Sequence, residues 1–208
     1  SLFISKGALE KGAVRPKNVP DQSVRIIGIL GAGMMGAGIA LVAAQAGIEV
    51  VLVDQDQNSA NKGKEYSEKY LTDGIKRGKI SEKIKEKTLK RILATDDYKK
   101  LADADLVIEA VFEDTKVKSD VTKAAVEVIH KDCIFASNTS TLPISELAKA
   151  SKHPENYIGI HFFSPVEKML LVEIIKGEKT ESRAVAKALD FVRPVSYTHL
   201  TLPTMELV

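Results

Sequence analysis

A chain of 208 residues with 44% hydrophobic side chains is long enough to bury a core of its own. Thirty basic against 28 acidic residues leave a net charge of +2, which gives no electrostatic reason to expect nucleic acid or a membrane surface as partner. No apolar run approaches the ~20 residues of a membrane span, and the N-terminal "SLFISKGALEKGAVRPK" lacks the long apolar centre of a secretory signal. The single cysteine, Cys133, lies in the apolar run "CIFAS" and reads as a reduced core residue of an intracellular protein.

Residues 1–22 hold short helical content at best and then "AVRPKNVPDQ", a Pro-broken polar stretch that reads as linker. From Val24 an alternation begins. "VRIIGIL" is a β-branched strand run, followed by a small, apolar helix from Met34 to Ala46. "EVVLVD" is a second strand. A polar helix over about Asn58 to Arg77 and a charged one over about Ser81 to Ile92 follow it. Strand-like runs recur at "DLVIEAV", "CIFASN", "YIGIHFF" and "LLVEII", with a helix over Val117–Ile129 among them. Continuous apolar strands alternating with helices predict a Rossmann-type α/β fold, a doubly wound, mostly parallel sheet covered on both faces. Only "SPVEKM" separates the last two runs, too little for a crossover helix, so they are expected to pair antiparallel.

The C-terminus breaks the pattern. After the helix "ESRAVAKALDFVR" comes "PVSYTHLTLPTMELV", which continues no period. Within it "VSYTHLTLPT" reads as the translation of a transposon-end adapter used to prepare sequencing libraries. The division expected is therefore linker over 1–22, a nucleotide-binding unit over 23–194 and adapter-derived sequence over 195–208. On that reading His199 is no catalytic candidate.

"GILGAGMMGAGIA" contains Gly31-x-Gly33-x-x-Gly36 between a strand and a helix, and Asp54 ends the next strand 23 residues after Gly31. Together these features form a dinucleotide-binding fingerprint. Gly31 allows the tight turn, Gly33 lets backbone approach a pyrophosphate, and Gly36 lets the helix pack close to the sheet. The helix N-terminus supplies amides and partial positive charge. Asp54 would accept from a ribose hydroxyl and repel a 2′-phosphate, which favours NAD over NADP. "VIEAVFEDTKVK" and "FASNTST" follow later strand ends, where ligands of open α/β sheets gather. They place Glu113, Lys118, Asn138 and Ser140 where the nicotinamide half would lie, although each could equally serve loop polarity or helix capping.

His161 and Glu173 interrupt two apolar strand runs. If those runs form a hairpin, the 12-residue separation lets the side chains meet across it. A carboxylate beside an imidazole fixes its tautomer and stabilises the imidazolium, as a base taking a proton from an alcohol requires. An ion pair kept for stability alone is a weak alternative, because desolvation offsets most of its attraction.

Taken in order, "GILGAGMMGAGIA", "VVLVDQD", "VIEAVFEDTKVK", "FASNTSTLPI" and "IHFFSPVEKMLLVEII" resemble the L-3-hydroxyacyl-CoA dehydrogenases. Within that family they look most like the dehydrogenase module of the fatty-acid oxidation complex α subunit. "SLFISKGALEKG" is similar to the segment joining that module to an upstream enoyl-CoA hydratase, so the chain looks like a piece of a longer protein. The resemblance implies oxidation of (S)-3-hydroxyacyl-CoA to 3-ketoacyl-CoA with NAD in β-oxidation, beside a thiolase subunit. The setting would be the cytoplasm of a bacterium or the mitochondrion of a eukaryote. It makes His161 the catalytic base, Glu173 its partner and Ser140 the serine near the substrate hydroxyl. Met35, Asp54, Glu113 and Lys118 fall on cofactor-contacting positions, with Val111 and Phe112 beside them. Ser164, among the cofactor positions, replaces the asparagine many members carry after "HFF". The region Asn61–Arg91 holds eleven basic and five acidic residues, a surface suited to CoA phosphates, with Arg77 as a candidate contact. The family's downstream helical domain is not in this sequence, and its absence predicts weak turnover by the piece alone. The alternatives are a dehydrogenase of a free hydroxy acid and a non-catalytic NAD-binding module.

Overall fold

In the computed structural model, which describes residues 2–4, 15–169, 171–195 and 199–202, one sheet runs through the whole molecule. Its strands are β1 (Leu2–Ile4), β2 (Ile26–Leu30), β3 (Glu49–Val53), β4 (Ile92–Thr95), β5 (Leu106–Glu109), β6 (Ile134–Ser137), β7 (Tyr157–Phe162), β8 (Leu171–Lys176) and β9 (His199–Leu202). They lie in the order β1-β9-β8-β7-β6-β5-β2-β3-β4. From β4 to β7 every neighbouring pair is parallel, and β8 then returns antiparallel along β7. The helices are α1 (Met34–Gln45), α2 (Gln57–Lys76), α3 (Glu82–Lys90), α4 (Thr115–Val126), α5 (Ile144–Leu147) and α6 (Ser182–Val195).

The two-residue period of the strands divides the core into two layers. Ile27, Ile29, Ile108, Ile134, Ile158, Ile160, Val172 and Ile174 point to one face, where α1 brings Ile39, Ala40 and Ala43 and α6 brings Ala184, Ala188 and Phe191. The intervening residues, among them Leu30, Val107, Phe135 and Tyr157, form the opposite layer with Leu101, Ala125 and Leu147. Phe135 and Tyr157 stack there at 5.3 Å. Cys133 belongs to this layer as a free thiol, pushed up to about 12 by its burial.

The doubly wound sheet, the helical pair after the second of the parallel strands and the antiparallel return all follow the sequence expectation. Three elements do not: β1, in a stretch read as helical at best, β9, in a tail that continues no period, and β4. The charged helix expected to reach Ile92 stops at Lys90, and Ile92–Thr95 forms strand β4 at the sheet edge. Its alternation is poor because an edge strand buries only half of itself: Ile92 and Thr95 are buried while Leu93 is exposed.

The stretch read as linker is tied down where it nears the sheet. Arg15 donates from Nε and a terminal nitrogen to the two carboxylate oxygens of Asp190 on α6, both at 2.8 Å, and the Gln22 amide adds 2.9 Å to the same carboxylate. Residues 5–14, 196–198 and 203–208 lie outside the described residues. Of the C-terminal stretch, His199–Leu202 lies parallel to β8 and antiparallel to β1. Backbone hydrogen bonding at an open sheet edge makes little demand on sequence, so this pairing is compatible with any origin for the segment.

Asp190 would rise on burial, but the Arg15 hydrogen bond and charge and the Gln22 amide outweigh that and hold it below the usual carboxylate range. A carboxylate lowered in the folded state contributes stability above its unfolded pKa and loses it as pH falls through the folded one. Asp190→Asn is therefore expected to lower unfolding stability by about 1–3 kcal/mol at neutral pH. In urea titrations the gap from the parent protein should close below about pH 4.

Candidate active site

The carboxyl ends of the parallel strands carry nearly all the polar residues singled out from the sequence. At the end of β2, Gly31 adopts φ +93°, and a side chain there would press on the Ala110 carbonyl oxygen at 2.9 Å. Its amide donates to Val53 O at 2.8 Å, which binds the loop to the end of β3. A methyl on Gly36 would fall 1.8 Å from the Gly31 carbonyl oxygen, so α1 can approach the loop this closely only with glycine at that position. Around Gly33 the reverse holds, with nothing within 4 Å of where a Cβ would stand. Gly33 is the N-cap of α1, and no side chain caps that end and no acidic residue lies in its first turn.

These features fit a dinucleotide. Uncapped amides at a helix start face open space over a residue without a side chain, which suits a pyrophosphate. Asp54 follows β3 with Oδ2 on the Ala32 amide at 2.6 Å and Oδ1 on the Gln55 amide at 2.7 Å. The carboxylate expected to meet the ribose thus also holds the glycine loop. Met35 is half-buried at the start of α1, while Met34 beside it is exposed and in contact with Ser164, Oγ to Sδ at 3.8 Å.

After β5 and β6 lies a network that the sequence disclosed only in part. Lys118 on α4 is 1% exposed. Its Nζ sits 3.0 Å from both Glu109 oxygens, 3.1 Å from Glu113 Oε2 and 3.5 Å from Val111 O. Glu113 also accepts from the Thr139 hydroxyl, from the Ser140 amide at 3.1 Å and from the Thr141 hydroxyl at 3.3 Å. Burial opposes its charge, yet the Thr139 hydrogen bond, the Lys118 charge and the Ser140 amide keep it below the usual carboxylate range. Val111 is half-buried and Phe112, at 79% exposure, projects from the loop. Sequence reasoning missed Glu109, Ser137 and Thr139. The available signal was a glutamate ending the apolar run "DLVIE" with a lysine nine residues on.

Asn138 reaches from the end of β6 to β7, where Oδ1 accepts the Phe162 amide at 2.8 Å. Its neighbour in β7, His161, stands directly opposite Glu173 in the β7–β8 register. Nδ1 of His161 lies 3.0 Å from Glu173 Oε2, with side-chain exposures of 15% and 32%. Both point away from the layer that takes Ile160, Phe162, Val172 and Ile174, so the pair is less deeply buried than two apolar runs suggest. Phe163 flanks the imidazole, ring to ring, at 4.5 Å. Ser140 is exposed at the loop after β6, and Arg77 is exposed at the turn between α2 and α3. Among the described residues no hydrogen bond or ion pair joins Arg77 to the carboxyl-edge residues.

A nucleotide-cradling loop, an acid at the end of the neighbouring strand and a paired imidazole on the same sheet edge define a dinucleotide-binding domain of dehydrogenase type. The family model "3-hydroxyacyl-CoA dehydrogenase, NAD binding domain" matches residues 26–202, and the chain belongs to this family. The dinucleotide is accordingly NAD. The fatty acid oxidation complex subunit alpha of Shewanella loihica is 37% identical over 97% of this chain and 29% of its own length. Its counterpart from Psychrobacter cryohalolentis is 40% identical over 89% of this chain and 26% of its own length. The chain thus spans little more than a quarter of these curated relatives. Among solved structures, (S)-3-hydroxybutyryl-CoA dehydrogenase from Ralstonia eutropha superposes with a TM-score of 0.80 at 36% identity, covering 86% of this chain and 63% of that one.

Two glycines should separate folding from binding. Gly33→Ala has room for its methyl and is expected to keep the thermal midpoint within about 2 °C while weakening NAD at least tenfold. Gly36→Ala forces α1 off the loop, with an expected loss of about 3 kcal/mol or more. Thermal denaturation and NAD titration of both variants check this. An alanine at 33 that binds NAD as well as glycine would show that the cradle lies elsewhere.

Proposed function

We propose that this chain is the NAD-binding part of a protein that oxidises (S)-3-hydroxyacyl-CoA to 3-ketoacyl-CoA. The reading is carried by the 3.0 Å contact between His161 Nδ1 and Glu173 on the same sheet edge as the glycine loop. With Nδ1–H donated to the carboxylate, Nε2 keeps its lone pair, and it has no hydrogen-bond partner among the described residues. His161 takes the proton of the substrate's 3-hydroxyl at Nε2, and Glu173 stabilises the imidazolium that results. The Ser140 hydroxyl is suited to orient the same substrate oxygen. NAD, when bound, supplies the acceptor for the hydride that leaves the carbinol carbon. Asp54, Met35, Val111, Phe112, Glu113, Lys118, Asn138 and Ser164 are the residues proposed to hold it.

The family and the relatives' names support acyl-CoA as substrate and an α subunit of a fatty-acid oxidation complex as the parent. In that setting a thiolase subunit would be the partner. No helix among the described residues is long and apolar enough to cross a membrane, and the relatives named are bacterial, which supports a cytoplasmic setting. The basic α2–α3 pair, with Arg77 at its tip, suits CoA phosphates. The same reading keeps residues 1–22 as linker, 23–194 as the nucleotide-binding unit and 195–208 as adapter-derived. The parent gene, read through codon 195, tests that division.

In the intact parent, His161→Gln is expected to lower kcat about 10²–10⁴-fold with the NAD dissociation constant unchanged. Glu173→Gln should lower kcat less, by about 10–100-fold, because the base survives but loses its orienting charge. The isolated chain, little more than a quarter of its curated relatives' length, should turn over (S)-3-hydroxybutyryl-CoA at least about a hundredfold more slowly than the parent. Initial rates of NADH formation, measured side by side, check all three. Full activity in His161→Gln would point to a non-catalytic binding module, and turnover of the free hydroxy acid without CoA would point to the other dehydrogenase class.

A further inference from the structure

Glu109 is the one fully buried carboxylate at the sheet's carboxyl edge among the described residues, and the reaction makes no direct use of it. Every partner it has is a donor. Lys118 Nζ lies 3.0 Å from each oxygen, the Ser137 hydroxyl donates to Oε1, and the Val111 amide reaches Oε2 at 3.3 Å. The Ser137 oxygen meanwhile accepts the Thr139 amide at 3.2 Å. A protonated Glu109 would have only the Ser137 hydroxyl oxygen as acceptor and would forfeit its charge contact with Lys118. Burial pushes its carboxyl upward, against the Lys118 charge and the Ser137 hydrogen bond. With the Lys118 ammonium on both oxygens and an amide and a hydroxyl beside them, this cage favours an ionised carboxylate.

Lys118 is therefore shared between two carboxylates, Glu109 behind it and Glu113 in front, and the cluster holds two negative charges against one positive. Glu113 is the outer member, 36% exposed, and it grips the loop that carries Ser140. Had the chain used a neutral residue at 109, the Lys118–Glu113 pair would cancel and the edge would be neutral. NAD and NADH differ at the nicotinamide by one positive charge, and that ring must come to the edge where His161 meets the substrate.

We propose that Glu109 is a positioning residue that acts through Lys118 and Glu113, leaving the nicotinamide end of the site one negative charge in excess and so favouring the oxidised dinucleotide relative to the reduced one. This rests on the functional reading above, which brings NAD to that edge. The effect is on the ratio of two affinities. A structural role for Glu109 would move both together. A single charge acting from behind a lysine, in surroundings of intermediate polarity, is expected to shift the ratio about three- to thirtyfold.

The test is titration of the 208-residue chain with NAD and with NADH, followed by calorimetry and NADH fluorescence. Glu109→Gln keeps the size and one acceptor oxygen but loses the charge, and the ratio Kd(NAD)/Kd(NADH) is expected to rise about tenfold. Ser137→Ala removes a hydrogen bond from the same carboxylate without changing charge, and should leave the ratio within about twofold. The double variant E109Q/K118M removes one charge of each sign, a replacement buried pairs often tolerate, and is expected to keep the parental ratio. That variant also serves if Glu109→Gln alone fails to fold, with Lys118→Met as its comparison. Lys118→Met leaves two unopposed carboxylates and should lower the ratio. Equal changes in both affinities for Glu109→Gln, or no difference between the double variant and Lys118→Met, would overturn the proposal. A parent chain that binds neither dinucleotide would overturn the functional reading beneath it.

Discussion

The contact on which the nucleotide crevice depends is the approach of α1 to the Gly31 carbonyl oxygen, where the space beside Gly36 is too small for a methyl group. That approach is enforced from the other side. Ile39, Ala40, Ala43 and Ala44 of the helix pack into the layer formed by Ile27, Ile29 and Leu52, so the helix cannot withdraw without opening the core. With its axis fixed, the first-turn amides are aimed before any ligand arrives. Asp54 completes the arrangement by gripping the Ala32 amide from the end of the next strand. Preorganisation of this kind spares the site the entropy of ordering a loop on binding.

A second constraint fixes the imidazole–carboxylate pair. Parallel strands alone would leave His161 facing whatever loop happened to cover it. The short connection after Phe163 instead folds β8 back along β7, and the register opposes His161 to Glu173, Ile160 to Ile174 and Phe162 to Val172. Val172 and Ile174 are buried in the layer under α6, and their burial selects this register. A slip by one residue would turn Glu173 into that layer and expose both aliphatics. The core thereby holds the acid against the imidazole, although neither belongs to it.

Much of this was readable from residue order. Continuous apolar runs rich in Ile and Val marked the strands, and the glycine spacing marked the tight loop that Asp54 holds at the end of β2. The shortness of "SPVEKM" gave the antiparallel return. Strand β4 was not readable, since Ile92–Thr95 follows a charged helix directly and has one inward side chain at each end. The role of Lys118 was only half readable. A lysine in "EDTKVK" suggests a free cation near a ligand, whereas its ammonium is enclosed by carboxylates from β5 and from the loop after it. Which acids meet a given lysine depends on how α4 lies against β5, and chain order does not contain that information.

The helix ends show where this fold leaves charge available. Asp56 caps α2, Ser81 caps α3 and Asp114 caps α4, each side chain accepting an amide of its own first turn. In those helices the positive end is satisfied internally, at the cost of any external anion site. Helix α1 starts from Gly33, which has no side chain to offer, and its dipole faces open space. The Asp114 cap bears on the neighbouring network too, because it fixes the start of α4, and Lys118 sits one turn in. The same rule of capping thus works in opposite senses on adjacent helices. Where a cap is present it anchors a buried lysine between two acids, and where it is missing it leaves amides facing open space.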